Sequence, residues 1–187
     1  MKNFRNWLLI PAAILISDFG LGHARLRVET ADNNIPKLTA RNASDANKGG
    51  ATQADLPCGR NSLVRDKNPV VLIAGETIVA DIEETINHNG RYEINFSPDG
   101  TNGFLENNLV SVVDNQAGAP NKANPNRYQA TFDVPTTPCT DCTLQMVQVM
   151  VGANNVETYY KSCVDIIITP AANPPPPKPA GLTVEVK

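Results

Sequence analysis

The sequence predicts an all-β fold, an antiparallel β-sandwich with long loops. Three observations lead there. Short runs rich in β-branched and aromatic residues recur, and within them apolar side chains alternate with polar ones, the period-two pattern of a half-buried strand. Turn-forming clusters separate the runs, Ser97-Pro98-Asp99-Gly100 among them. No long segment repeats its apolar residues at the spacing of a helix.

Taken in order, residues 24–30 read as a short first strand. A polar stretch rich in Asn, Asp, Ala and Gly follows and ends in Leu56-Pro57-Cys58-Gly59. Long loops of this kind are uncommon inside compact domains and are often functional. Val70-Val71-Leu72-Ile73-Ala74, just before Gly75, is a short apolar strand. Over 76–82, Ile78, Ala80 and Ile82 fall on one side. Tyr92, Ile94 and Phe96 share a face over 91–97, and Tyr128, Ala130, Phe132 and Val134 share one over 127–134. Residues 143–151 place Leu144, Met146 and Met150 on one side and Val147, Val149 and Val151 on the other. The last run, 159–169, ends in Val164-Asp165-Ile166-Ile167-Ile168. About seven short strands with turn signals between them form the pattern of an immunoglobulin- or fibronectin III-like sandwich. From Pro170 the composition shifts, and the polyproline stretch at 174–177 marks 170–187 as an extended C-terminal tail.

The N-terminus sets the compartment. Lys2 and Arg5 precede the apolar stretch Trp7-Leu8-Leu9-Ile10-Pro11-Ala12-Ala13-Ile14-Leu15-Ile16, and Gly20-Leu21-Gly22 supplies small residues where a signal peptidase reads. That order predicts a cleaved signal peptide over 1–22 and a secreted domain, extracellular or periplasmic, over 23–169. The apolar run is shorter than the roughly 20 residues of a membrane span. After cleavage the charge is 14 basic against 18 acidic residues. A net acidic domain argues against nucleic acid as a partner. Cleavage also removes Trp7, the only tryptophan. Asn42-Ala43-Ser44 and Asn95-Phe96-Ser97 match the glycosylation triplet, which matters only in a eukaryotic source.

Four cysteines fit an oxidising compartment. They allow three pairings, of which Cys58–Cys163 with Cys139–Cys142 is expected: a long-range bond and a local clip. The competing reading is a redox-active or zinc-binding Cys-x-x-Cys. It lacks both the second pair that zinc usually needs and a thioredoxin-like context.

The chain has two histidines, His23 and His88. A histidine placed first in a mature chain can chelate one metal through its free α-amino nitrogen and its own ring Nδ1. The α-amino group has a pKa near 8, so it loses its proton readily to a competing metal. A second imidazole completes a three-nitrogen set, which suits Cu(II). The plainer reading is a surface-turn His88 and a chance His23.

Several segments carry a resemblance to the lytic polysaccharide monooxygenases, closest to a group of small bacterial secreted monooxygenase-like proteins. They are His23-Ala24-Arg25-Leu26, the cysteine loop Leu56-Pro57-Cys58-Gly59, the stretch Thr85-Ile86-Asn87-His88-Asn89-Gly90-Arg91-Tyr92-Glu93-Ile94, the strand at 142–150, and Tyr159-Tyr160-Lys161-Ser162-Cys163-Val164-Asp165-Ile166. The resemblance implies one copper ion held by His23 and His88, with Tyr160 in the axial position. It also implies oxidative cleavage of a chitin- or cellulose-class polysaccharide by a monomer supplied with electrons from outside. His23, His88 and Tyr160 would form the catalytic set. Gln148 is a candidate for the surrounding sphere. So is Asp165, although its separation from Tyr160 puts it on the opposite strand face and favours a structural role. The sequence departs from the pattern at Asn89, where relatives often have proline, and in lacking a mature tryptophan for sugar stacking. Tyr92, Tyr128 and Phe104 could supply a flat surface, but core packing is the better assignment for each. The alternatives are a non-catalytic copper-acquisition protein and a carbohydrate-binding module.

Overall fold

The computed structural model describes residues 24–26, 41, 47–48, 55–59, 64–121 and 123–172. The leader, His23 and the polyproline tail therefore lie outside the described residues, as do the domain boundaries drawn from them. The described chain is built of strands: β1 (Ala24–Leu26), β2 (Asn47–Lys48), β3 (Val70–Ile73), β4 (Thr77–Glu84), β5 (Gly90–Ser97), β6 (Asn108–Asp114), β7 (Asn126–Asp133), β8 (Cys139–Val151) and β9 (Glu157–Thr169). They form two sheets, one ordered β1-β4-β7 and a larger one ordered β2-β9-β8-β5-β6, with β3 added parallel to β9. Every other pairing is antiparallel. Among the described residues no helix is long and apolar enough to cross a membrane.

The alternation read from the sequence is the reason the sheets face each other. Ile78, Ala80 and Ile82 of β4 and Tyr128, Ala130 and Phe132 of β7 turn inward from the small sheet. They meet Tyr92, Ile94 and Phe96 of β5, Leu144 and Met146 of β8, and Val164, Ile166 and Ile168 of β9. Burying each large side chain in such a core contributes about 1.5–3 kcal/mol.

The outer face of the larger sheet is also covered, which period-two reasoning did not foresee. On β5 the side chains of Glu93, Asn95 and Ser97 are buried as fully as their apolar neighbours. The cover includes Arg41, Pro57, Cys58 and the segment around Arg65, and its small apolar centre is Cys58, Phe104 and Cys163. Both expected disulfides, Cys58–Cys163 and Cys139–Cys142, are formed, and no cysteine is free. The zinc and dithiol readings of Cys-x-x-Cys fall with them. Asn95, one of the two glycosylation candidates, is 1% exposed and bonded to Gln145 and Asn108, so it is closed to modification in the folded domain. Asn42, the other, lies outside the described residues.

Strand β6 was absent from the sequence reading. It is the edge of the larger sheet, and none of its residues is fully buried: Val110 to Asp114 alternate only between half-buried and exposed. A register irregularity between Ile94 and Asn95 breaks its pairing with β5. An edge strand of this kind gives no clear alternation to detect.

Candidate metal-binding site

His88 sits in the crossover 85–89, which carries the chain from the small sheet to the large one. Three contacts hold this crossover. The His88 backbone N–H donates to Glu84 Oε1 at 3.1 Å. The Val151 N–H donates to the Asn89 carbonyl at 2.8 Å, and Asn87 Nδ2 donates to the Gln116 carbonyl at 2.6 Å. The loop is thus tied down although Asn89 is not proline. Gly90, the first residue of β5, is paired with Met150 on one side and Asp114 on the other. A Cβ there would lie 1.9 Å from the Val149 carbonyl oxygen, so only glycine lets the crossover lie this close to β8. His88 is half-buried, and its Nε2 is shielded from solvent.

Strand β1 begins at Ala24, one peptide bond after His23, and Ala24 is the register partner of Glu84. The strand that His23 precedes therefore starts at the same end of the sandwich as the His88 crossover. His23 itself, with its amine and ring, lies outside the described residues.

Tyr160 faces inward from β9, half-buried against the core. Tyr92, Gln148 and Tyr160 form one cross-strand row over β5, β8 and β9. Directly opposed residues share a face, so the three side chains lie together on the inner side. Gln148 is 1% exposed. Its Nε2 donates to the Tyr92 hydroxyl at 3.2 Å, while its Oε1 is buried with no hydrogen-bond partner among the described residues. Tyr159 points the other way, and its hydroxyl donates to Glu157 at 2.8 Å.

Asp165 lies on the outer face, away from Tyr160. Arg41 grips it through two bonds of 2.8 and 2.7 Å, the Thr143 hydroxyl donates at 2.8 Å and the Asp66 N–H at 2.6 Å. Burial by itself would raise its pKa. The bonds from Arg41, Asp66 and Thr143, with the Arg41 charge, outweigh that and hold the carboxyl below the usual range. This placement gives Asp165 a structural role under the covering segment rather than a place around Tyr160.

The sequence reading missed the acidic and phenolic cluster beside His88. Glu84 is 0% exposed and accepts from Asn126 Nδ2 at 2.8 Å as well as from His88. Tyr128 donates to Asp114, the Tyr92 hydroxyl lies 3.5 Å from the same carboxylate, and the two rings stand 4.9 Å apart. Burial pushes Glu84 up to about 7; the neighbouring Asp114 adds to the rise and the Asn126 bond opposes it. Burial, with the two carboxylates, also raises both phenols well above their ordinary value. The signal was present: Glu84 continues the inward parity of Ile78, Ala80 and Ile82. Tyr92, Tyr128 and Phe104 are all buried, and no aromatic side chain is exposed among the described residues.

Every cysteine is held in a disulfide, which leaves no thiol for a thiolate metal centre, and His88 offers an imidazole nitrogen at this end. Among the described residues no three His, Cys, Asp or Glu side chains gather to hold a metal.

The chain matches no protein-family model and has no significant sequence match to a curated protein. Among solved structures it is similar to the lytic polysaccharide monooxygenase AA15 from Thermobia domestica in the Cu(I) state, at 16% identity and TM-score 0.47, covering 65% of this chain and 84% of that one. It is also similar to entomopoxvirus fusolin, at 15% identity and TM-score 0.37, where 66% of this chain is covered and the match spans about half, 49%, of the fusolin chain.

Proposed function

We propose that the exported chain binds one copper ion through a histidine brace and uses it to cleave glycosidic bonds oxidatively in a chitin- or cellulose-class polysaccharide. The α-amino nitrogen and Nδ1 of His23, together with Nε2 of His88, would hold the metal, with Tyr160 as the residue beside it. Bound copper supplies one-electron chemistry and activation of dioxygen or peroxide, with electrons from an external donor. The observation that supports this reading is the pairing of Ala24 with Glu84, whose carboxylate accepts the His88 N–H. It brings the strand that follows His23 to the second histidine. The segments quoted for the family resemblance point the same way. The buried Oε1 of Gln148, on the same row as Tyr160, supports a place for Gln148 in the surroundings of such a metal. The two disulfides fit an oxidising compartment.

A second reading, a copper carrier on the same fold, is favoured by the lack of an exposed aromatic ring among the described residues. Mass spectrometry of the secreted protein, followed by copper loading and incubation with ascorbate, peroxide and chitin or cellulose, separates the readings. A chain starting at His23 that releases oxidised oligosaccharides, and loses tight copper binding on His88→Ala, supports the enzyme. Tight binding with no product from any polysaccharide supports the carrier. Failure to bind copper overturns both and leaves a carbohydrate-binding module.

A further inference from the structure

Glu84 is an expensive residue where it stands. It is fully buried, and among the described residues no cationic side chain pairs with it. Burying a carboxyl without a counter-ion costs free energy that an apolar side chain of similar volume would not. Besides the hydrogen bond it shares with the Asp114 carboxyl, three connections converge on it. Its backbone is the register partner of Ala24, its Oε1 accepts the His88 N–H at 3.1 Å, and its Oε2 accepts Asn126 Nδ2 at 2.8 Å. Asn126 in turn opens β7, the neighbour of β4 in the small sheet. One residue therefore joins the first strand, the His88 crossover and the far side of the small sheet. Gly90 and the Val151–Asn89 bond fix the other flank of the same crossover.

We infer that Glu84 is a positioning residue that sets the separation between the chain's first residue and His88. This rests on the copper reading above. In this role Glu84 acts through the His88 backbone rather than as a ligand. A side chain that only fills space would not need to accept both bonds.

The test uses the mature chain with Glu84→Gln, Glu84→Asp and Glu84→Met, alongside wild type and His88→Ala. Copper affinity is measured by competition with a chelator, fold stability by thermal unfolding of the apo-protein, and the His88 amide by hydrogen exchange without metal. Glu84→Gln keeps an acceptor for His88 and should bind copper within about threefold of wild type. Glu84→Met leaves the His88 N–H and Asn126 without this acceptor, so it should bind copper at least tenfold more weakly and unfold somewhat earlier than wild type, and Glu84→Asp should fall between them. A merely structural residue would loosen the whole fold evenly, so a loss of protection confined to the His88 amide separates the two roles. The His88 amide should stay protected in wild type and Glu84→Gln and exchange at least tenfold faster in the Met and Asp variants, with the Ala74 amide, bonded to the Thr169 carbonyl away from the crossover, as an unchanged reference. If Glu84→Met does not fold, the Gln and Asp variants carry the comparison. Wild-type copper affinity in both Glu84→Met and Glu84→Asp, or His88 protection indifferent to all three changes, overturns the inference. If wild type itself takes up no copper, the metal reading fails, and the exchange data alone decide whether Glu84 holds the crossover.

Discussion

Replacing Asp165 by asparagine should cost the fold about 3–5 kcal/mol while leaving copper affinity within about twofold. The side chain of Asp165 is 0% exposed and that of its partner Arg41 4% exposed. The carboxylate accepts two bonds from Arg41 and one each from Thr143 and the Asp66 N–H, and Arg65 Nη1 stands 3.2 Å away. An amide offers one acceptor oxygen, carries no charge, and turns an N–H₂ group toward donors. Arg41 then loses its carboxylate inside the protein, and breaking a buried pair from one side costs about 3–5 kcal/mol. Urea unfolding at pH 7 measures the loss. The pH dependence has a defined sign. The folded pKa is depressed, so the stabilisation is present above the unfolded carboxylate value near 4 and is lost as pH falls through the lower folded value. Wild type should therefore lose stability on acidification more steeply than Asp165→Asn. Pairing Asp165→Leu with Arg41→Met should cost less than the two single changes summed, because neither charge is then left behind. A single-variant loss below about 1 kcal/mol with an unchanged denaturant slope would refute this account of the network, and a large drop in copper affinity would return Asp165 to the metal site.

Removing the Cys58–Cys163 bond by the paired alanine change frees a loop with a sequence separation of 105 residues; unfolding should become easier by about 4–5 kcal/mol, read by urea titration against Cys139→Ala/Cys142→Ala, which should lose less. Gly90→Ala places a methyl against the Val149 carbonyl at 1.9 Å and should destabilise by more than about 2 kcal/mol, with weakened copper binding in whatever folds, since the crossover must move. Glu84 titrates in the folded state at about 7, above its ordinary 4.5, so its contribution to stability is full below about pH 4.5 and declines as pH rises to about 7. Apo-protein unfolding at pH 5 and pH 8 should show that decline in wild type and a shallower one in Glu84→Gln.

The inward residues of β4, β5, β7, β8 and β9 were legible because one face of each meets the opposing sheet, and alternation records that contrast. The same rule was silent about the outer face of the larger sheet. Glu93, Asn95, Gln145 and Asp165 are polar, and polar residues at alternate positions read as solvent-facing; here they are buried, and a segment distant in sequence bonds to Gln145 and Asp165 through Pro57 and Arg41. Tyr160 and Asp165 could be assigned to opposite faces from parity alone, and His88 could be singled out because histidine is scarce in the chain. Glu84 could not be recognised as part of the site from its type, since its importance comes from whom it touches. Only its parity with Ile82 pointed inward.

Strand β9 serves as a wall shared by two compartments. Tyr160, Val164, Ile166 and Ile168 furnish one side, and Lys161, Cys163 and Asp165 the other. Inserting or deleting a single residue between Tyr160 and Cys163 would exchange the two sets, driving a carboxylate into the oily interior and a row of aliphatic groups beneath a polar lid. Changes of chain length during divergence should accordingly gather at the connections between sheets, such as 115–125, where no inside–outside bookkeeping is disturbed.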